Sequence, residues 1–190
     1  NISSNSGTDI FITTHNGFGL RYDINEVPIL GSRASGVKGI SLKNDVVASG
    51  SVINNEEYIS LVTTKNTGKR VRISEFERIS RARKGIQIIR DVKTNPYYIL
   101  KSFVLNSKNL IGFKNGIEIS TFKLTDMAIA DRYSTGTSIF KKHLDDIFVV
   151  KKLVEEEDVN ELEEIKDTNL TNIDERILTI DDMLKNIEKN

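Results

Sequence analysis

Three times along the chain an Asn-Gly turn signal opens a stretch that closes on a basic, glycine-containing motif. The first copy runs from Asn16-Gly17-Phe18-Gly19-Leu20-Arg21-Tyr22 to Ser32-Arg33-Ala34-Ser35-Gly36-Val37-Lys38. The second runs from Asn66-Thr67-Gly68-Lys69-Arg70-Val71-Arg72 to Arg81-Ala82-Arg83-Lys84-Gly85-Ile86, and the third from Asn115-Gly116-Ile117-Glu118-Ile119 to Asp131-Arg132-Tyr133-Ser134-Thr135-Gly136. With Gly17, Gly68 and Gly116 as markers, the spacings are 51 and 48 residues. A unit of roughly 50 residues is too small to bury its own core and must stack on its neighbours, as the blades of propeller-like arrays do.

The local signals agree with one small sheet per copy. Asn-Gly supplies the positive-φ positions of a type I′ hairpin turn, and the extra Thr67 in the middle copy predicts a three-residue hairpin with Gly68 in the left-handed region. Strands are predicted at roughly 10–14, 18–23, 45–53, 58–64, 69–73, 86–90, 98–105, 109–113, 117–121 and 147–150. In the second of these Phe18, Leu20 and Tyr22 share a face, while Gly19 and Arg21 share the other. Arg21 and Arg72 are read as equivalent positions, each pointing away from its apolar neighbours. The expected domains are 1–152, with repeats near 8–57, 58–107 and 108–152, and a tail at 153–190.

The zero net charge conceals a division. Residues 155–190 hold 13 acidic and 4 basic residues, leaving 23 basic against 14 acidic before them. A basic body with an acidic tail points to a polyanion-binding domain carrying a regulatory or solubilising segment. Positive charge is densest in the middle repeat, where Lys65, Lys69, Arg70, Arg72, Arg78, Arg81, Arg83, Lys84, Arg90 and Lys93 face only Glu75, Glu77 and Asp91. An isolated charge run reads first as a solvated surface. Here equivalent basic sites recur from repeat to repeat, and a rim of regularly spaced cations tracks phosphates without reading bases. The residues expected to meet phosphate are Arg21, Arg33, Lys38, Lys65, Lys69, Arg70, Arg72, Arg81, Arg83, Lys84 and Arg132.

No other chemistry stands out. The chain has no cysteine, which removes disulfide frameworks and thiolate metal sites and fits a reducing compartment. His15 and His143 have no partner at ligand spacing, and His15 is read as a plain turn residue at the position of Lys65 and Lys114. Gly17-Phe18-Gly19 opens no helix, so it lacks the phosphate-binding rationale of a dinucleotide fingerprint. Glu155-Glu156-Glu157-Asp158 lacks the glycine and ligand spacing of a calcium loop and reads as solvated charge. No apolar run approaches the roughly 18 residues of a membrane span, the first residues lack a signal peptide's basic and apolar regions, and the opening Asn1-Ile2-Ser3-Ser4 reads as the start of a fragment. In the tail, Ile173, Ile177, Ile180, Leu184 and Ile187 lie on one helical face, with Asn172 and Glu175 placed for a capping box. That helix, at about 172–188, is marginal alone, and the stripe is read as a docking face while 155–170 stays flexible.

At Gly17-Phe18-Gly19-Leu20-Arg21-Tyr22, Gly31 to Ile40, Ser80 to Ile86 with Asn95-Pro96, and Asp131 to Gly136, the chain resembles the C-terminal domains of type IIA topoisomerase A subunits, specifically those of topoisomerase IV from Gram-positive bacteria. The resemblance covers about residues 8–150. It implies an all-β fold, a β-pinwheel of four-stranded antiparallel blades whose basic perimeter bends duplex DNA, here a partial disc of about three blades. The related gyrase A subunits carry a Gln-Arg-Arg-Gly-Gly-Lys-Gly box, and the nearest approaches, Arg33 to Gly39 and Arg81 to Gly85, lack its paired glycines. The resemblance also implies partners, namely the remainder of that A polypeptide together with the ATPase B polypeptide in a heterotetramer. It places no cofactor on this region, with magnesium and ATP used elsewhere in the holoenzyme, and puts the protein in the bacterial cytoplasm on the nucleoid, peripheral membrane association being open to the family. The function expected is non-catalytic DNA binding in support of ATP-dependent decatenation and relaxation. The alternatives are the C-terminal domain of a gyrase A polypeptide and a propeller-type protein-interaction module.

Overall fold

The computed structural model describes residues 7–141 and 144–150. The expectations for His143, the acidic run and the tail helix fall outside these residues. The described part is all-β, with eleven strands: β1 (Asp9–Thr14), β2 (Phe18–Asp23), β3 (Val47–Ile53), β4 (Tyr58–Thr63), β5 (Thr67–Arg72), β6 (Ile86–Gln87), β7 (Ile99–Leu105), β8 (Leu110–Asn115), β9 (Glu118–Lys123), β10 (Thr137–Ser138) and β11 (Asp146–Val150). Short 3-10 turns at Ile24–Glu26, Ile73–Glu75 and Leu124–Asp126 follow β2, β5 and β9.

The strands form three antiparallel sheets, ordered β3-β1-β2-β6, β7-β4-β5-β10 and β11-β8-β9. The repeat is therefore structural as well as sequential. In the first two sheets the fourth strand is only two residues long and comes from the following repeat: Phe18 and Gly19 pair with Gln87 and Ile86, and Gly68 and Thr67 with Thr137 and Ser138. Each repeat thus completes the sheet of the one before it. Among the described residues no strand does this for β9, whose Ile119 is left exposed.

Alternation along the strands sets the packing, because successive side chains point to opposite faces. One apolar cluster joins Phe11 and Ile53 of the first sheet to Ile59, Leu61, Val71 and Ile99 of the second, closed by Phe76, Ile88 and Ile89. Phe11 and Phe76 meet edge to face at 5.0 Å, an arrangement that adds roughly 0.5–1.5 kcal/mol beyond area burial. A second cluster joins Val62 and Leu105 to Ile111, Phe113 and Ile147 of the third sheet. Removing one repeat would strip a face from each neighbour.

The hairpins depart from their expected turns. Gly17 (φ 87°) and Asn66 (φ 57°) are the left-handed residues of three-residue loops, whereas Gly116 (φ 58°) opens a two-residue loop between Asn115 and Glu118. Gly68 is not in the left-handed region and sits within β5. Its counterpart is Gly19, and both are glycine because of close approach: an added Cβ would meet Ile139 Cδ1 at 2.6 Å at Gly68, and Ile88 Cγ2 at 2.8 Å at Gly19. The same register makes Arg70, not Arg72, the counterpart of Arg21, since each forms a parallel bridge to the next repeat, Arg21 to Arg78 and Arg70 to Ile129. It also aligns His15 with Thr64 rather than Lys65, and His15 stacks on Tyr98 at 4.6 Å.

Candidate nucleic-acid interface

The second and third basic motifs are the loops that lead into the exchanged strands. Those at 80–85 and 131–136 each end in a left-handed glycine, Gly85 (φ 84°) and Gly136 (φ 78°), and Gly36 (φ 86°) ends the first motif in the same way. The glycines are required twice over at the later positions, since a Cβ on Gly136 would press on the Gly68 carbonyl and one on Gly85 on that of Gly19. A second device recurs. Glu26, in the 3-10 turn after β2, accepts the backbone N–H of Arg81 at 2.7 Å, and Glu75, after β5, accepts that of Arg132 at 3.0 Å. The first loop lies against the second through backbone bonds from Ser41 to the Arg83 carbonyl (2.9 Å) and from Ala82 to that of Gly39 (3.0 Å).

The eleven cations expected to meet phosphate take three different positions. Two face inward. Arg21 donates through Nε (2.6 Å) to Asp9, fully buried, and through Nη1 to the carbonyls of Ile73 (3.2 Å) and Phe76 (3.0 Å) in the next repeat. Lys69 is 1% exposed, and its ammonium donates to the carbonyls of Asp131 (3.1 Å), Arg132 (2.6 Å) and Ser134 (2.8 Å). Desolvation pushes its pKa down to about 8, against the pull of Asp131 and Glu75.

Three others are tied at the surface. Arg81 donates to the carbonyls of Glu26 (2.9 Å) and Lys38 (2.6 Å), bracing its own loop. Arg70 lies over the Tyr58 ring at 5.0 Å and reaches the Thr125 carbonyl at 3.4 Å. Lys65 donates to Asn95 and sits over Tyr97 at 4.1 Å. The remaining six face outward: Arg33, Lys38, Arg72, Arg83 and Lys84 are exposed and Arg132 is half-buried. Lys38 bonds the Ser41 hydroxyl at 3.2 Å, and Lys84 rests on the Phe18 ring at 3.9 Å. Lys38, Arg83 and Lys84 thus stand on two loops that meet through Ser41.

Sequence reasoning passed over two participants. Arg78 approaches Asp9 at 2.8 Å and Asp23 at 3.5 Å, so one buried carboxylate ties two arginines from adjacent repeats. Phe18 is the shelf under Lys84, a role its alternation with Leu20 and Tyr22 hid. Among the described residues no group of His, Cys, Asp and Glu side chains could hold a metal ion, and no helix is long and apolar enough to cross a membrane.

Comparison with known proteins puts a family beside this geometry. Residues 8–54 and 57–103 match the model of the DNA gyrase C-terminal domain, beta-propeller. The A polypeptide of DNA topoisomerase 4 from Bacillus subtilis (strain 168) is 35% identical over 139 residues, covering 72% of this chain and 17% of that protein. The crystal structure of the C-terminal domain of DNA topoisomerase IV superposes with a TM-score of 0.71 at 31% identity, over 80% of this chain and 52% of that one. The structure of a DNA gyrase A C-terminal domain, at 13% identity and a TM-score of 0.67 over 76% of this chain and 51% of that one, shares the fold. The chain thus spans about a sixth of the length of the Bacillus subtilis relative.

Proposed function

Because the chain belongs to the DNA gyrase C-terminal domain family of β-propellers, we propose that it is the DNA-binding and DNA-bending C-terminal region of a topoisomerase IV A polypeptide. The observation that carries this reading is the recurring basic loop, held in successive repeats by the same glutamate-to-backbone bond and the same left-handed glycine. Outward cations at fixed backbone positions suit a ligand with charge at regular intervals, and duplex DNA presents one such charge per roughly 1.7 Å of axis. The contacts are to phosphate, so binding is indifferent to sequence and its energy comes from released counterions. In this role the region captures and bends a DNA segment for a catalytic core located in the rest of the A polypeptide. The partners are that remainder and the ATPase B polypeptide, which use ATP and magnesium to decatenate and relax DNA during chromosome segregation, in the bacterial cytoplasm on the nucleoid.

The test is a titration of labelled duplexes of unrelated sequence at about 50 and about 200 mM salt, the interval over which phosphate-driven binding collapses. Six outward cations predict a slope of log affinity against log salt of about −5, a steep loss over that interval common to every duplex. The double variant Arg83→Glu, Lys84→Glu should weaken all duplexes alike. Affinity indifferent to both salt and the charge reversal would transfer the case to a protein-interaction module.

A further inference from the structure

The two exchange junctions hold their basic loops by different means. At the first junction the loop braces itself: the Arg81 guanidinium bonds the carbonyls of Glu26 and Lys38, and the β2 residue behind it is Leu20, fully buried. At the second junction the residue in the register position of Leu20 is Lys69, and its ammonium collects three carbonyls of the loop from behind. Arg132, the counterpart of Arg81 by its backbone bond to the equivalent glutamate, makes no side-chain hydrogen bond or ion pair among the described residues. The internal cation stands in for the brace that Arg81 supplies one repeat earlier.

On the DNA-binding reading given above, we infer that Lys69 is a positioning residue: its buried ammonium fixes the backbone of the Asp131–Gly136 loop from inside and so leaves the Arg132 guanidinium available to phosphate. The match is stoichiometric. An ammonium has three N–H donors and no acceptor, and three carbonyl oxygens converge on it. These are charge-assisted bonds in a site shut off from water, where each is stronger than its neutral counterpart. Asp131 and Glu75 favour the charged form electrostatically, and Arg132 opposes it. A neutral amine would offer two donors to three carbonyls and turn a lone pair toward the third.

The experiment is a double-mutant cycle on the whole chain, reading duplex DNA affinity for wild type, Lys69→Met, Arg132→Gln and the double variant. Methionine matches the lysine side chain as far as Cε and removes the donors. Lys69→Met should weaken binding roughly fivefold and flatten the salt slope by about 1, the signature of one lost phosphate contact. In the Arg132→Gln background the same substitution should change affinity less than about twofold, since the contact it positions is already gone. An Arg83→Gln background should leave the fivefold loss intact. Raising the pH through about 8 should shrink the ratio of wild-type to Arg132→Gln affinity, whereas a purely structural lysine would leave that ratio flat.

Amide exchange across residues 131–136 reads the holding function without DNA and should be faster in Lys69→Met than in wild type. Equal exchange overturns the inference even if affinity falls. Faster exchange with additive effects in the cycle overturns the link to Arg132 and leaves DNA binding standing. A wild-type chain that binds no duplex overturns the functional reading, and this inference with it.

Discussion

A Cβ placed on Gly136 would stand 2.7 Å from the carbonyl oxygen of Gly68, so the strand that completes the second sheet can enter only behind a glycine. Gly136→Ala should therefore cost both the left-handed strain and the displacement of β10, about 2–4 kcal/mol together. Gly85→Ala, pressed against the Gly19 carbonyl, should behave alike. Gly36 has the same φ with nothing within 4 Å of an added Cβ among the described residues, so Gly36→Ala should cost only the strain, about 1–2 kcal/mol. Urea unfolding of the three variants checks this, and equal losses would show that the close approach contributes nothing.

Asp9 is fully buried between two arginines of unequal exposure, 18% for Arg21 and 52% for Arg78. Removing the carboxylate leaves Arg21 ionised, largely enclosed and facing only carbonyls. Asp9→Ala should destabilise by about 3–5 kcal/mol, the usual cost of breaking a buried pair from one side. Arg78→Ala removes a solvent-screened partner and should cost no more than about 1 kcal/mol. A denaturant midpoint for Asp9→Ala as close to wild type as that of Arg78→Ala would sink the assignment of Asp9 as the tie between repeats.

The repeat and its hairpins were legible because two signals coincide there, period-2 alternation and turn residues at constant spacing. The exchange itself was not. β6 falls inside the strand predicted at 86–90 and β10 inside none, but each is only two residues long, and its pairing with the preceding sheet is settled by glycine contacts with a distant strand. The division of the cations was hidden for a related reason. Lys69-Arg70-Val71-Arg72 reads as a basic surface by composition, yet alternation places Lys69 on the face of Val71, and aligning the repeats places it on Leu20. Those two signals together would have turned it inward. Nothing in one dimension announces the three carbonyls that receive it, because they lie more than sixty residues away.

Outward and inward cations should separate in their salt dependence. Arg83→Gln and Lys84→Gln each remove one exposed charge and should each flatten the salt slope of DNA binding by about 0.9 without lowering the melting temperature. Arg21→Gln leaves Asp9 with only Arg78 and frees two carbonyls, so it should lower the melting temperature while the slope, measured well below melting, stays unchanged. A flattened slope for Arg21→Gln would mean that its guanidinium leaves Asp9 to reach DNA.

The Lys69 ammonium makes a signed prediction for stability against pH. Burial lowers its pKa from 10.5 to about 8, with Asp131 and Glu75 pulling the other way and Arg132 adding to the fall. Between those two values the unfolded chain holds a proton that the folded chain has released, so this group makes stability rise with pH. Its contribution is complete above the unfolded value and is lost as pH falls through the folded one. Other groups titrate over the same range, and Lys69→Met provides the reference that cancels them. The melting temperature of wild type minus that of Lys69→Met should therefore increase as pH is raised from about 7 to about 10, by an amount that grows most steeply above pH of about 8. A flat difference would mean that the three carbonyl bonds outweigh desolvation and keep the ammonium charged throughout.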